Sequence, residues 1–309
     1  MRALFLAAAI PALAGELRER RVETTLVPGP VNYTVWLPDG YESAAAPFPL
    51  LVCLHGGNCD QGFLRTIAPR IEEARKTGGL GAVVAVTADA GRSFYMDYRD
   101  GSRRWEQFFL NEFPDHLRKT YKVSADSKKT LLFGISMGGM GALRMGFKHP
   151  EKFGAVAALE PGIEPALRWK DVLPRDRFWR SPELMESIFG KPLDEEYWAA
   201  NQPAVIARRN RDRIRASGLS IYLECGDQDS FGLNRGAEFL HQTLVEQEIR
   251  HEYHLVRGAD HLGRTLGPRS IEALLFLGRA LEAPPPDPAV EALRKSIEKM
   301  KAAYERKQP

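Results

Sequence analysis

The sequence predicts an α/β fold built on a mostly parallel sheet, and three observations carry that prediction. Continuous apolar runs such as Leu50-Leu51-Val52-Cys53-Leu54 and residues 153–159 mark strands buried on both faces, as a parallel sheet under helices requires. These runs alternate with segments of helical periodicity, the pattern of successive strand–helix units. Between them, Thr130-Leu131-Leu132-Phe133 runs into Gly134-Ile135-Ser136-Met137-Gly138. That is a strand, a sharp turn and a helix, with a serine at the apex.

Taken in order, residues 21–27 and 31–37 are short β-favouring runs separated by Pro28-Gly29-Pro30 and closed by Pro38-Asp39-Gly40. They predict an antiparallel hairpin at a sheet edge. Residues 50–54 form the next strand and end in His55-Gly56-Gly57-Asn58. A helix is expected over 63–76 and a strand over 80–86. Residues 105–121 have helical spacing, with Phe108, Phe109, Phe113, Leu117 and Tyr121 on one face and Pro114 expected to kink it. The serine segment follows, then the sixth strand at 153–159. Residues 163–218 break the alternation with scattered aromatics, charges and prolines, and predict a helical insertion or cap over the sheet. Strands are expected again at 219–225 and 251–256, with helices at 235–247 and 262–281. Pro284-Pro285-Pro286 interrupts the chain before an amphipathic, Lys- and Glu-rich helix at 288–307. The expected organisation is one domain over 15–283, with the insertion at 163–218 and a tail at 284–309.

Composition narrows the function. With 309 residues, 44% of them hydrophobic, there is ample material for a core. A net charge of +3 without a basic, aromatic-interleaved run leaves no nucleic-acid footprint. Three cysteines form neither a metal-ligand spacing nor a disulfide framework, and Cys53 and Cys225 read as small buried hydrophobes. Met1-Arg2 followed by an apolar stretch and Ala12-Leu13-Ala14 reads as a short secretory signal peptide over 1–14. It is too short to span a bilayer. The expectation is export to a periplasm or the medium, or a cytoplasmic protein if that stretch is not a leader.

In a parallel sheet the site lies at the carboxyl ends of the strands, and four marked segments follow strands. Gly134 and Gly138 remove side chains that would collide across the turn at Ser136. A serine hydroxyl needs a base to take its proton and a carboxylate to orient that base. Of the seven histidines, only His261 stands just past a late strand, in Gly258-Ala259-Asp260-His261. For the acid, Gly226-Asp227-Gln228-Asp229 gives two candidates and Asp260 a third. Asp229 is favoured because a loop can swing it toward the histidine, whereas Asp227 suits a turn. The oxyanion of an acyl transfer needs two N–H donors. The N–H of Met137 is one, and the second is expected from Gly57, with Gly56 and Asn58 as alternatives.

Leu54-His55-Gly56-Gly57, Gly134-Ile135-Ser136-Met137-Gly138-Gly139, Gly226-x-x-Asp229 and Gly258-x-x-His261 resemble the α/β-hydrolase fold. With Ser93-Phe94-Tyr95-x-Asp97 they are most similar to its esterase D branch of S-formylglutathione hydrolases, feruloyl and acetyl-xylan esterases and mycolyltransferases. The resemblance spans about residues 20 to 282 and leaves the 163–218 insertion and Glu160 unmatched. It implies a serine esterase that needs no metal or cofactor, and the expected export and the aromatics of the insertion point to carbohydrate or other small acyl esters as substrates. An acyltransferase with the same residues is the nearest variant, and a non-catalytic binding protein of the same fold is a second.

Overall fold

The computed structural model describes residues 15–282 and 287–306. The leader expected over 1–14 and the proline break at 284–286 lie outside them. Eight strands form one sheet in the order β1-β2-β4-β3-β5-β6-β7-β8. They are β1 (Glu16–Val22), β2 (Val31–Leu37), β3 (Leu50–Leu54), β4 (Val84–Ala88), β5 (Thr130–Ile135), β6 (Ala155–Leu159), β7 (Ser220–Gly226) and β8 (Glu252–Val256). β1 and β2 are antiparallel to their neighbours, and every pairing from β4 to β8 is parallel.

Alternation along each central strand explains the layers. Leu51, Cys53, Leu131, Phe133, Ala155 and Ala157 point to one face. There they pack on α1 (Phe63–Lys76) and α10 (Leu266–Leu281) through Ile67, Ile71, Leu274 and Leu277. Leu50, Val52, Leu132, Val156 and Leu223 point to the other face. It is covered by α3 (Phe113–Thr120), α4 (Met137–Lys148), α9 (Asn234–Glu246) and the insertion. Apolar surface is removed from water on both sides, which is why these strands read as unbroken apolar runs.

The 163–218 stretch carries two 3₁₀ turns and the helices α5 (Pro182–Phe189), α6 (Glu195–Ala200), α7 (Pro203–Arg209) and α8 (Arg211–Ser217). Most of its aromatics are core. Trp198 and Phe189 are buried, and Trp169 meets Trp198 edge-on at 5.5 Å. A final helix, α11 (Pro288–Glu305), has no buried residue among those described. No helix of the described residues is long and apolar enough to cross a membrane.

Four elements depart from the sequence reading. The first strand is 16–22 rather than 21–27. Glu16-Leu17-Arg18-Glu19-Arg20-Arg21-Val22 has little β-propensity, yet it pairs residue for residue with β2 from Glu16↔Leu37 to Val22↔Val31. Its charges suit an edge strand, where they discourage pairing with another chain. The fourth strand starts at Val84 rather than at 80. The helix expected over 105–121 is a single turn, α2 (Trp105–Gln107), then a π segment, Phe108–Glu112, then α3. The wide π turn puts Pro114 at the start of α3, where its missing N–H costs least. The helix after His261 begins at Leu266 rather than at 262.

Candidate active site

Connections from β3 and β5 leave in opposite directions along the sheet, so the carboxyl ends of these neighbouring strands form a crevice. Ser136 follows β5, and His55-Gly56-Gly57 follows β3. Ser136 has φ 60° and ψ −118°, a conformation that costs a non-glycine residue about 1–3 kcal/mol. Its surroundings hold it there. The Ser136 N–H donates to the Leu159 carbonyl at 2.9 Å, and its carbonyl accepts from Met140 and Gly162, both at 3.1 Å. A Cβ on Gly134 would collide with the Gly138 carbonyl, and one on Gly138 with the Leu54 carbonyl. The two glycines are therefore steric requirements of the turn.

The three residues singled out on separate strand ends meet. His261 Nε2 lies 3.2 Å from Ser136 Oγ. His261 Nδ1 lies 2.7 Å from Asp229 Oδ2. Asp229 is buried, and its other oxygen accepts from the Phe231 and Leu233 N–H groups at 2.8 and 3.0 Å. Burial opposes its ionisation, but hydrogen bonds from His261, Glu160 and the Leu233 N–H outweigh that and hold its carboxyl below the usual range. The other two acid candidates do different work. Asp227 accepts from the Gly258 N–H at 2.7 Å, and Asp260 from the Ser230 and His261 N–H groups. Both tie the acid loop to the histidine loop without touching the imidazole.

Met137 opens α4, so its N–H precedes the helix ladder, and no acceptor takes it or the Gly57 N–H among the described residues. Gly56 lies against the serine, where a Cβ would stand 3.6 Å from Ser136 Cβ. At Gly57 a Cβ would meet only Arg92 Nε at 3.8 Å, an ordinary contact, so glycine there is not a steric necessity. The loop is pinned from behind. His55 Nδ1 bonds the Gly56 carbonyl at 2.8 Å, and its Nε2 accepts the Ala90 N–H at 3.0 Å. Burial holds the His55 imidazole below its ordinary pKa, which suits the neutral form these bonds need. Tyr95, itself at φ 59°, donates its hydroxyl to the His55 carbonyl at 3.0 Å.

Two features went unseen in the sequence, and a third, Glu160, was noted there without a role. Phe231 packs on His261 with ring centroids 4.6 Å apart, and Phe178 of the insertion stacks on Phe231 at 6.1 Å and 11°. Phe178 is 63% exposed. A lone phenylalanine in a loop carries no signal for such a stack. Arg180 anchors the insertion beside the serine turn. It is buried, pairs with Glu164 at 3.0 Å, donates to the Gly162 carbonyl at 2.6 Å and lies over the Phe94 and Trp179 rings. Glu160, at φ 46° after β6, stands behind Asp229.

The family comparison fits this geometry. The Esterase family profile matches residues 25–264. The chain belongs to the Esterase family. An esterase of Mycobacterium tuberculosis is 25% identical over 216 residues, covering 65% of this chain and 45% of that protein. This chain thus spans less than half that relative's length. The S-formylglutathione hydrolase of Mus musculus is 24% identical over 256 residues, covering 75% of this chain and 82% of the relative. A ferulic acid esterase structure superposes with a TM-score of 0.71 at 21% identity, over 87% of this chain and 99% of the other. These likenesses place the chain's fold among the α/β-hydrolases of the Esterase family.

Proposed function

We propose that the protein is a serine hydrolase of carboxylic esters, with Ser136 as nucleophile, His261 as general base and acid, and Asp229 as the group that orients His261. The continuous hydrogen-bonded chain from Ser136 through His261 to buried Asp229 carries this reading. Ser136 Oγ passes its proton to His261 Nε2 as it attacks the acyl carbonyl. The N–H groups of Met137 and Gly57 receive the negative charge that develops on the carbonyl oxygen. His261 then protonates the departing alcohol, leaving an acyl-enzyme on Ser136. Water, giving its proton to His261, attacks that ester and releases the acid. Asp229 holds the imidazole with its proton on Nδ1 and stabilises the imidazolium formed in each half-reaction.

The proposed substrates are small acyl esters, carbohydrate esters among them. The Phe178–Phe231 stack beside His261 supports a flat or apolar group on one side of the scissile bond. On this reading 15–283 is the hydrolase domain and 163–218 its cap. Hydrolysis of a chain-length series of nitrophenyl esters tests the proposal. The parent should turn over and Ser136→Ala should not. Equal rates in the two would remove Ser136 from the mechanism.

A further inference from the structure

Behind Asp229 lies a buried cluster that the acyl-transfer steps do not use. The donor atoms of Glu160, Cys225 and Asp229 lie within 4.8 Å of one another. Glu160 Oε1 accepts from the Gly226 N–H at 3.1 Å and from the Arg269 guanidinium. The same Arg269 nitrogen donates to Glu224 Oε1 at 2.6 Å, and its other terminal nitrogen donates to the Asp260 carbonyl at 2.8 Å. Glu160 Oε2 accepts from the Cys225 thiol at 2.7 Å. Two buried carboxyl groups, Glu160 and Glu224, thus share one guanidinium, and a third, Asp229, stands beside Glu160.

Two carboxylates at this range do not both ionise without a large cost. The hydrogen bonds say where a proton fits. Oε1 of Glu160 already accepts two N–H bonds and needs none. Oε2 meets only the Cys225 thiol among the described residues, and the Asp229 carboxylate, a fixed acceptor, lies within 4.8 Å of the Glu160 carboxyl. Glu224 Oε2 is buried with no partner among the described residues, so a proton there is not the one that reaches Asp229. We propose that Glu160 is a positioning residue that carries a proton on Oε2 and donates it to the Asp229 carboxylate, fixing the acid that orients His261. Burial and the Asp229 contact both push the Glu160 carboxyl above its ordinary range, against the pull of Arg269 and Cys225. The strained φ of Glu160, with its N–H on the Glu224 carbonyl at 2.8 Å, aims the side chain inward. The inference rests on the reading that Asp229 orients His261.

Glutamine reproduces a protonated glutamate here, with one oxygen to accept from Arg269 and Gly226 and one N–H to donate to Asp229. Glu160→Gln should therefore keep at least a tenth of the parent kcat. Glu160→Ala should lower kcat by about 10–100-fold with KM little changed. The pH dependence of kcat/KM separates orientation from mere structure. Glu160 is faced by Glu224 and Cys225 from β7, by Asp229 from the loop after it and by Arg269 from α10, with His261 beyond Asp229. If Glu160 is neutral, glutamine changes no charge and the acid limb stays where it is in the parent. If Glu160 is ionised, glutamine removes a negative charge that favours imidazolium, and the limb moves about one unit to lower pH. That shift would overturn the proposal.

A second readout needs no turnover. The infrared difference spectrum of parent minus Glu160→Gln at neutral pH should contain the carbonyl band of a protonated carboxyl. Its absence, or its loss in Glu224→Gln instead, would also overturn the proposal. Fluorophosphonate labelling of Ser136 in the same preparations reports on the nucleophile separately, so failure of one reading is told from failure of the other.

Discussion

Two buried acid clusters in this molecule are built with opposite charge balance. On the α4 side, one carboxylate, Glu106, meets three basic side chains. These are Arg144, whose side chain is fully buried, Lys148 at 3.0 Å and His149 at 2.9 Å. Arg144 also donates to Asn201 of the insertion at 3.0 Å and to the Tyr95 carbonyl. Behind the candidate active site, three buried carboxyls have one guanidinium among them, that of Arg269, which pairs with Glu160 and Glu224. The first cluster has charge enough to keep its acid ionised. Burial opposes that, but Arg144, His149 and Lys148 overcome it and hold the Glu106 carboxyl far below the usual range. The second cluster is short of positive charge, so burial pushes the Glu224 carboxyl up to about 7. A cation-rich cluster staples elements together. An acid-rich one stores a proton beside a group that must stay ionised.

The comparison breaks if damage to the two clusters has the same consequence. Asp229→Asn should have the largest effect. It keeps the volume but presents the wrong hydrogen-bonding partner to His261, and should lower kcat about 10⁴-fold with little change in melting temperature. Steady-state kinetics beside thermal unfolding checks both halves. Glu106→Ala should do the reverse. It leaves the buried Arg144 charge uncompensated, at a cost of about 3–5 kcal/mol of stability. The surviving folded protein should keep its kcat. Denaturant unfolding with active-site titration measures the two separately, and a kcat loss matching that of Asp229→Asn would merge the clusters into one functional unit.

Acid stability sharpens the contrast through its sign. Glu106 has a lowered pKa, so its contribution is present above the ordinary carboxylate range and is lost as pH falls toward its folded value. Glu224 has a raised pKa, so the native state binds more protons than the unfolded chain between the ordinary value of 4.5 and about 7. Across that window its contribution falls as pH rises, by at most about 3 kcal/mol. Glu224→Gln should flatten the slope of stability against pH over that interval. An unchanged slope would mean that Glu224 is ionised throughout. The smallest effect belongs to Phe178→Ala, which removes an exposed ring from the stack over Phe231. It should raise KM a few-fold for aromatic esters, worth about 0.5–1.5 kcal/mol, and leave acetate esters unchanged.

These two clusters also mark the limit of what the chain discloses before folding. Ser136, Asp229 and His261 were legible because each stands just past an apolar strand run, and the sheet rule converts that sequence position into proximity. The strand–turn–helix at Ser136 was legible because glycine is a steric demand there. Glu224, within Ser-Ile-Tyr-Leu-Glu-Cys-Gly, and Arg269, in the first turn of a helix, look like ordinary surface charges. Only the register of β6 on β7, with Leu159↔Glu224, and the docking of α10 bring them to Glu160. Cys225 read as a small hydrophobe and is buried as expected, but its thiol also reaches Glu160. The β1 strand was misplaced for a related reason. Its residues are charged, and pairing with β2 rather than local propensity makes it a strand.

The central claim is that Ser136 is an activated nucleophile whose reactivity depends on the chain of groups behind it. Its most direct test is the rate of fluorophosphonate labelling, read by intact mass and peptide mapping, in the parent, Asp229→Asn and Glu106→Gln. The account predicts one adduct on Ser136 in the parent, labelling slowed by orders of magnitude in Asp229→Asn, and a parent-like rate in folded Glu106→Gln. An adduct on another residue, or equal labelling of the parent and Asp229→Asn, would contradict it.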